Sequence, residues 1–464
     1  MRSNRCFQPE ARIIPRNVDR SGIVLCRPSG TARKNPSLRD GAKRVFARSA
    51  VSALALVCLT ALASPAAPAT GPSAPLAFPG AEGFGAHATG GRGAEVVHVT
   101  NLDDAGAGSF REAVGHSHRN VVFDVGGYVQ LKKALSVASD ITIAGQTAPG
   151  DGIGTMGAEV SFSGSKNIIC RYIRFRQGLA SGENKKSAVG MHDAHGVILD
   201  HVSVQFGRWD TVDMTGSSDV TIQYSIIGPG VAPQRFGCLC ESDGVTFSHD
   251  LWINNHSRNP KSKGKVQFIN NVVYNWELDA YIAGASAGKN WHDVIGNYFI
   301  AGPDSKHGPF ARGNENTQIF VKDNYYDDNK NGVLDGKPVP DSELGPVTLL
   351  RAPFSQASVA PDTPEEAYRK VVAGAGCSLH RDSVDTQLIE DLTSLGKKGK
   401  IISDPRDMGG FGAIKGGPAP GACGADGIPV DWKSARGPAD CNARPADGYT
   451  TLETYFNSLV PSQE

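Results

Sequence analysis

The chain has 464 residues, and its 47 Lys and Arg balance 47 Asp and Glu, so no global basic charge points to nucleic acid. About 400 residues remain after a leader, enough for a large core. Length alone predicts two or three domains unless the fold is an elongated repeat.

Residues 1–40 are basic and Pro-containing without apolar periodicity, and are read as an extension outside the fold. Lys43, Arg44 and Arg48 precede an uncharged run from Ala50 to Ala63, which ends in the small-residue site Ala61-Leu62-Ala63. That order predicts a signal peptide over 41–63, and hence a secreted or periplasmic protein, with a Pro/Ala-rich linker over 64–77. The apolar run is shorter than the roughly 20 residues a membrane span needs.

Of nine cysteines, Cys6, Cys26 and Cys58 leave with such a leader. The six that remain suit disulfides in an exported chain, with Cys423 and Cys441 the favoured pair. Cys170 sits in an apolar run that suits a buried thiol. A zinc site at Cys238-Leu239-Cys240 lacks a companion His/Cys pair.

Short β-branched runs then recur at Val121, Ile141, Ile168, Val197, Val220, Val245, Val266, Val294 and Ile319, with starts 20 to 29 residues apart. Several are followed by a polar corner and a second apolar strand, as in Ile269-Asn270-Asn271-Val272-Val273-Tyr274. Asn271, Asn297 and Asn324 occupy one place in the repeat, where Asn can turn the backbone through the left-handed region and bond to its neighbours along a stack. A β-sandwich would show strands every 8–12 residues or so. Here the spacing is about twice that, which predicts an all-β solenoid, a right-handed parallel β-helix over 78–362.

A long polar loop is expected from Asp327 to about Gly345. Its Asp327-Asp328-Asn329-Lys330-Asn331-Gly332 imitates half of an EF-hand, but Pro338 stands where the closing Glu belongs, so a plain Asx-rich turn is expected. A C-terminal extension over 363–464 opens with a short amphipathic helix from Pro364, capped by Thr363, and ends with a closing helix from Thr450 to Leu459. Gly83, Gly85, Gly90, Gly91 and Gly93 are not a phosphate loop, because no helix follows and no Lys-Ser/Thr closes the motif.

Chemistry concentrates in His256-Ser257-Arg258-Asn259-Pro260-Lys261-Ser262-Lys263-Gly264-Lys265, with four cations in its last eight residues. Pro260 restricts Asn259 and stiffens the corner carrying Arg258. Asp210 and Asp213, at i and i+3, are expected to face one loop cavity where calcium would find oxygen ligands. Alone, two Asp near Gly216 and Ser217 read as turn-formers. Glu241 and Asp243 are placed in the next inter-strand loop, and Arg235 between the two groups. His201, following Asp200, reads as a structural hydrogen-bonding residue.

The motifs Phe78-Pro79-Gly80-Ala81-Glu82-Gly83-Phe84-Gly85, Gly108-Ser109-Phe110-Arg111-Glu112-Ala113, Val122-Phe123-Asp124-Val125-Gly126-Gly127, Ile143-Ala144-Gly145-Gln146-Thr147-Ala148-Pro149-Gly150, Leu199-Asp200-His201-Val202-Ser203 and Ser257-Arg258-Asn259-Pro260 run in order along 78–300. Together they resemble polysaccharide lyase family 1, the pectate lyases. The resemblance implies calcium-assisted β-elimination of polygalacturonate or pectin by a monomer. Arg258 matches the proton-abstracting arginine, and Asp210 and Asp213 fall in the calcium-binding segment. Lys263 stands where the family usually has a second arginine. Arg235, Lys261 and Trp209 complete the expected substrate contacts. Where many relatives have an Asp this chain has Ser187, so one calcium ligand is absent or Asp193 replaces it. A segment with two His and an Asn in the family reads Ser248-His249-Asp250 here. A pectin lyase, a glycoside hydrolase using Asp210 and Asp213, and a non-catalytic carbohydrate-binding coil are the competing readings.

Overall fold

The structure, a computed structural model, describes residues 75–180, 182, 185–284, 287–355, 359–418, 425–436, 442–443 and 447–461. The extension, the leader, most of the linker, and Cys423 and Cys441 lie outside the described residues.

The chain winds as a parallel β-helix of about 9 turns, as its repeat predicts. The nine β-branched runs all fall in one sheet, from Arg119–Phe123 through Ile141–Ala144, Lys166–Arg171 and His195–Asp200 to Thr317–Lys322. Parallel register puts like residues above one another, so Ile168, Val197, Val220, Val245 and Val266 form one inward column. Burying such columns is what drives the coil shut: each fully buried Val or Ile contributes roughly 1.5–3 kcal/mol. His292 continues this column between Val266 and Ile319. Burial alone pushes its imidazole down to about 3, so it packs there as a neutral ring.

The second sheet carries the short strands after each corner, among them Ile173–Arg176, Ser203–Gln205, Leu251–Ile253, Val272–Tyr274 and Tyr298–Ile300. At the corners Asn271 N donates to Asn297 Oδ1 at 2.8 Å, and Asn297 Nδ2 to Asn324 Oδ1 at 2.8 Å. Asp250 and Ser225 extend this ladder upward. The left-handed turn, however, is made one residue earlier, at Asn270 (φ 60°), Gly296 (φ 68°) and Asp323 (φ 52°). The ladder asparagines point inward and satisfy carbonyls that the bend frees, such as Phe247 O. At the turning position of earlier coils Tyr172, His201, Tyr224 and His249 stack in sequence, with ring centroids 4.6, 5.1 and 4.5 Å apart. His201 is therefore the structural residue expected.

A third face, not foreseen from the sequence, comprises Leu135–Ser136, Val160–Ser161, Val189–His192, Tyr281–Ala283, Phe310–Ala311 and the first parts of three long strands. Those strands, Asp210–Gln223, Phe236–Ser248 and Lys261–Ile269, bend from this face into the first sheet. Glu241 and Asp243 are thus on a strand, not in the inter-strand loop expected for them, and Asp213 is on the strand before it.

The glycine-rich opening is a strap laid across the outside of the first sheet. A Cβ on Gly83 would come 2.4 Å from Thr246 Cβ, and one on Gly91 would come 2.2 Å from Arg119 O. Backbone amides of Gly85 and Gly91 donate to Thr221 Oγ1 and Thr142 Oγ1, both at 2.9 Å. On the second sheet lie helices Pro364–Gly374 and Ser383–Thr393, burying Val371, Val384, Leu388 and Leu392 against Ile226, Leu251 and Val272. Thr363 caps the first, accepting from Glu366 N at 3.2 Å. Arg176, fully buried on that sheet, is held by Asp382 and by Asp385, the latter at 3.0 Å. The closing helix, Thr451–Ser458, packs Leu452, Tyr455 and Phe456 on Val122 and Ala144. Asp327–Gly332 closes as an Asx-rich turn, with Asn331 Oδ1 accepting from Val333 N at 2.6 Å.

Cys170, Cys238, Cys240 and Cys377 are buried free thiols, so no disulfide is formed among the described residues. Both Cys238 and Cys240 face the core, which rules them out as the zinc pair. No helix among the described residues is long and apolar enough to cross a membrane.

Candidate active site

Outward positions of the third face line up across turns. Asp213 pairs with Gly190 before it and Leu239 after it, and Leu239 pairs with Lys261. Two residues along, Thr215, Glu241 and Lys263 form a second row. The coil thereby sets carboxylates of two turns beside the cations of the next.

Arg258 stands at the head of these rows. Its φ of 64° is left-handed, and the corner is braced by Asn259 N donating to Ala280 O at 2.8 Å and by Asn255 Nδ2 donating to Asn259 Oδ1 at 2.9 Å. Its Nη1 donates to both oxygens of Asp210, each at 3.0 Å, and the guanidinium lies 4.1 Å from the Phe236 ring centroid. Burial pushes the Asp210 carboxyl up to about 7, against the opposing pull of Arg258. The i, i+3 spacing puts Asp210 and Asp213 on opposite sides of an extended strand. Asp213 faces outward and Asp210 lies wholly buried beneath Arg258, so the shared open cavity expected of them is not formed.

Burial also raises the Asp213 carboxyl, helped by the like charge of Glu241 and opposed by His192 and Arg258. Its Oδ1 is buried with no hydrogen-bond partner. Glu241 pairs with Lys263. Lys261 has no ion pair among the described residues, and burial, with Lys263 and Arg258 beside it, pushes its ammonium down. The sequence missed Glu159, whose carboxylate reaches from the preceding turn to Lys186 Nζ at 3.0 Å and Ser187 N at 3.2 Å. A negative group therefore stands beside Ser187, brought by the neighbouring coil.

An orphaned buried carboxylate oxygen next to a second carboxylate fits a hard cation such as calcium. No cluster of three or more His, Cys, Asp or Glu able to hold a metal occurs among the described residues, so protein ligands would be few and the remaining oxygens would come from water or substrate. Asp193 sits at the strand end, its carboxylate against Gly216.

Two recesses flank the rows. One, of about 500 Å³, is lined by Trp209, Arg208, Lys185, Leu179, Ala232 and Pro233. The other, of about 460 Å³, includes Glu241, Asp243, Lys263, Lys289 and Asn290. Arg235, on a left-handed φ of 59°, has a buried Nε without a partner and no described ion pair.

No family model matches the chain. It is 46% identical over 400 residues to the probable pectate lyase C of Aspergillus flavus, spanning 84% of this chain and 95% of that protein. The counterpart in Aspergillus fumigatus is 45% identical over 401 residues, with the same shares of each chain. The chain belongs to the pectate lyases. The solved structure of the thermostable pectate lyase PL 47 covers 64% of this chain and 97% of its own at a TM-score of 0.50 and 14% identity, a likeness of fold. In this pectate lyase the cations Arg258, Lys261 and Lys263 share one turn, whereas Trp209 lies two turns earlier and Asp193 on the turn before that.

Proposed function

We propose that this pectate lyase is a secreted monomer that cleaves polygalacturonate by calcium-assisted β-elimination, with Arg258 as the base. The observation that carries the reading is Lys261, without an ion pair among the described residues, between Arg258 and Lys263 and near the carboxylate of Glu241, in the row that Asp213 begins two turns earlier. A polyanion needs such cations, and a carbanion-like transition state needs them preorganised. Calcium held by Asp213, with Asp210 shut away beneath Arg258 and Asp193 a more distant candidate, would neutralise a uronate carboxylate and so acidify the neighbouring C5–H. Lys261 and Lys263 bind that carboxylate, with Arg235 at the groove margin. Arg258, as the neutral guanidine, takes the C5 proton and becomes the guanidinium, the C5–H electrons form the C4=C5 double bond, and the C4–O bond breaks. The departing oxygen takes its proton from water. Trp209, with Lys185 and Arg208 beside it, offers a ring face and two cations to an adjoining sugar. Those cations favour free carboxylates over methyl esters, so the pectin-lyase reading is the weaker one. A hydrolase needs two carboxylates flanking the bond; Asp210, buried under Arg258, is badly placed for that.

The test is incubation with polygalacturonate, with calcium or a chelator, following the ultraviolet absorbance of the unsaturated product. Absorbance that grows with calcium and is lost in Arg258→Ala is expected. Reducing ends without absorbance would overturn elimination, and no cleavage at all would leave a binding coil.

A further inference from the structure

The third face continues past Lys261. Lys261 pairs with Ile282 on the next turn, and Ile282 with Ala311 on the turn after that. At the end of that strand Arg312 takes a left-handed φ of 58°, as Arg235 and Arg258 do at 59° and 64°. Its side chain is 55% exposed, and its Nη2 donates to Asp279 Oδ2 at 2.6 Å. Asp279 stands before Ile282 on the neighbouring turn, so the Arg312 side chain runs back along the groove side of the coil toward Arg258. The same Asp279 oxygen accepts from Ser257 Oγ at 2.9 Å, and the Asp279 carbonyl accepts from Asn259 Nδ2 at 3.3 Å. One buried acid thus fastens both chain neighbours of Arg258 and also aims Arg312. Among the described residues Asp279 is the one hydrogen-bond acceptor of the Arg312 guanidinium, which leaves its other N–H donors to the groove. Arg312 is also among the charges that push the Lys261 ammonium down, which sets the two cations on one patch.

We propose that Arg312 is a further substrate-binding residue, taking the carboxylate of a sugar beyond the one that Lys261 and Lys263 hold. This rests on the reading of those lysines as uronate ligands and lengthens the site by two turns, about 10 Å at the usual strand spacing. A uronan carries a carboxylate on every sugar, so a cation at that distance meets a different sugar from the one being cleaved. An arginine held by a single N–H to a protein acid still offers a carboxylate a parallel pair of donors, a geometry that lysine lacks. Asp279, buried between them, is by contrast a positioning residue, setting the Arg258 corner on one side and Arg312 on the other.

The experiment is steady-state cleavage of polygalacturonate by the full protein and by Arg312→Gln, Arg312→Lys, Asp279→Asn, Lys261→Gln and Lys322→Gln. Arg312→Gln is expected to raise KM about fivefold and keep kcat within about twofold, the signature of lost uniform binding, with Arg312→Lys recovering part. Asp279→Asn is expected to do the reverse, lowering kcat more than it raises KM. Lys322→Gln removes a 61% exposed cation from the first sheet and is expected to change neither. As pectin of increasing methylation replaces polygalacturonate, the KM gap between the parent and Arg312→Gln is expected to close, because an ester gives the guanidinium no charge to meet. An unchanged KM in Arg312→Gln overturns the proposal, as does an equal rise in Lys322→Gln or a gap that ignores methylation. A kcat fall like that of Asp279→Asn, with KM unmoved, overturns it too and makes Arg312 a brace only. If circular dichroism shows that Arg312→Gln does not fold, Arg312→Gln is added to Asp279→Asn, which leaves no stranded acid. A further KM rise of the same size is then expected, and none overturns the proposal. A KM raised by Lys261→Gln but not by Arg312→Gln loses Arg312 alone, and a KM raised by Arg312→Gln alone loses the lysine reading instead. Should the parent not cleave, the KM criteria are applied to the Kd for polygalacturonate, measured on the same variants by calorimetry.

Discussion

Replacing Asn297 with Ala tests whether the corner ladder holds the coil together. The Asn297 side chain makes four contacts: it accepts from Asn271 N at 2.8 Å and Asn271 Nδ2 at 3.1 Å, and donates to Phe268 O and Asn324 Oδ1, both at 2.8 Å. Two of those partners have substitutes. Asn271 Nδ2 also reaches Phe247 O and Ile269 O, and Asn324 Oδ1 still accepts from Asn297 N. Asn271 N and Phe268 O lose the partners that Asn297 supplies, in a site with no solvent access. At roughly 1–3 kcal/mol for each buried group left unmade, the cost is about 4 kcal/mol. An unfolding entropy of about 2.1 cal/mol/K per residue gives roughly 0.8 kcal/mol per kelvin for a coil and cap of this size, so Tm falls by about 5 °C. Asn324→Ala is the comparison. It removes the last rung, which is 6% exposed, so water can satisfy part of what is lost and the fall is about half as large. Calorimetric melting of the three proteins reads this directly. Equal shifts for the two variants, or a shift under about 1 °C for Asn297→Ala, would refute the ladder as a stabilising device.

Three further outcomes follow from the same contacts. Burial lowers the His249 imidazole, but its bonds to Asp362 and Glu82 outweigh this and raise it above 6.5. Stability from that staple is thus fully present below about pH 6.5 and lost as pH rises through the raised value, so the Tm gap between the protein and His249→Gln should narrow from pH 5.5 to pH 9 or so; a gap constant with pH contradicts it. Removing both acid partners, Asp382→Ala with Asp385→Ala, strands the buried Arg176 charge and should cost about 3–5 kcal/mol in urea unfolding, with Arg176→Met in the same chain recovering part by removing that charge. No recovery would mean that packing, not charge, fastens the helical cap. Trp209→Ala should raise KM for polygalacturonate about fivefold and leave kcat within about twofold, the signature of a lost ring contact remote from the reacting bond; a fall in kcat alone would move Trp209 into the chemistry.

The first sheet was legible because its inward columns are β-branched and recur at a spacing only a solenoid uses. The corner was legible in kind but misplaced by one residue, since Asn270, Gly296 and Asp323 have no common side chain to mark the turn whereas the ladder asparagines do. The third face was hidden for a different reason. Its strands are short or fused with the first sheet's, and their outward residues, such as Asp213, Glu241 and Lys263, carry the charge usually given to loops. Arg174 and Arg176 were hidden too, because what buries them is a helical cap some 200 residues away, with Arg176 and Asp385 separated by 209 positions.

What the linear reading lacked at the site was not the charges but their pairing. Lys263 and Glu241 are 22 residues apart, Lys186 and Glu159 are 27 apart, and Arg171 and Asp200 are 29 apart, each within or near one coil period. Arg258 and Asp210, at 48, are two periods apart. In a parallel coil register converts sequence distance into contact, so opposite charges separated by one or two periods are the signal that could have found these pairs. That criterion marks Arg258 with both Asp210 and Asp213, and strand parity decides between them, because Asp210 lies buried beneath the arginine and Asp213 faces outward. It thereby separates the two aspartates that spacing alone had joined: one is held by the arginine, and the other keeps a buried oxygen without a hydrogen-bond partner.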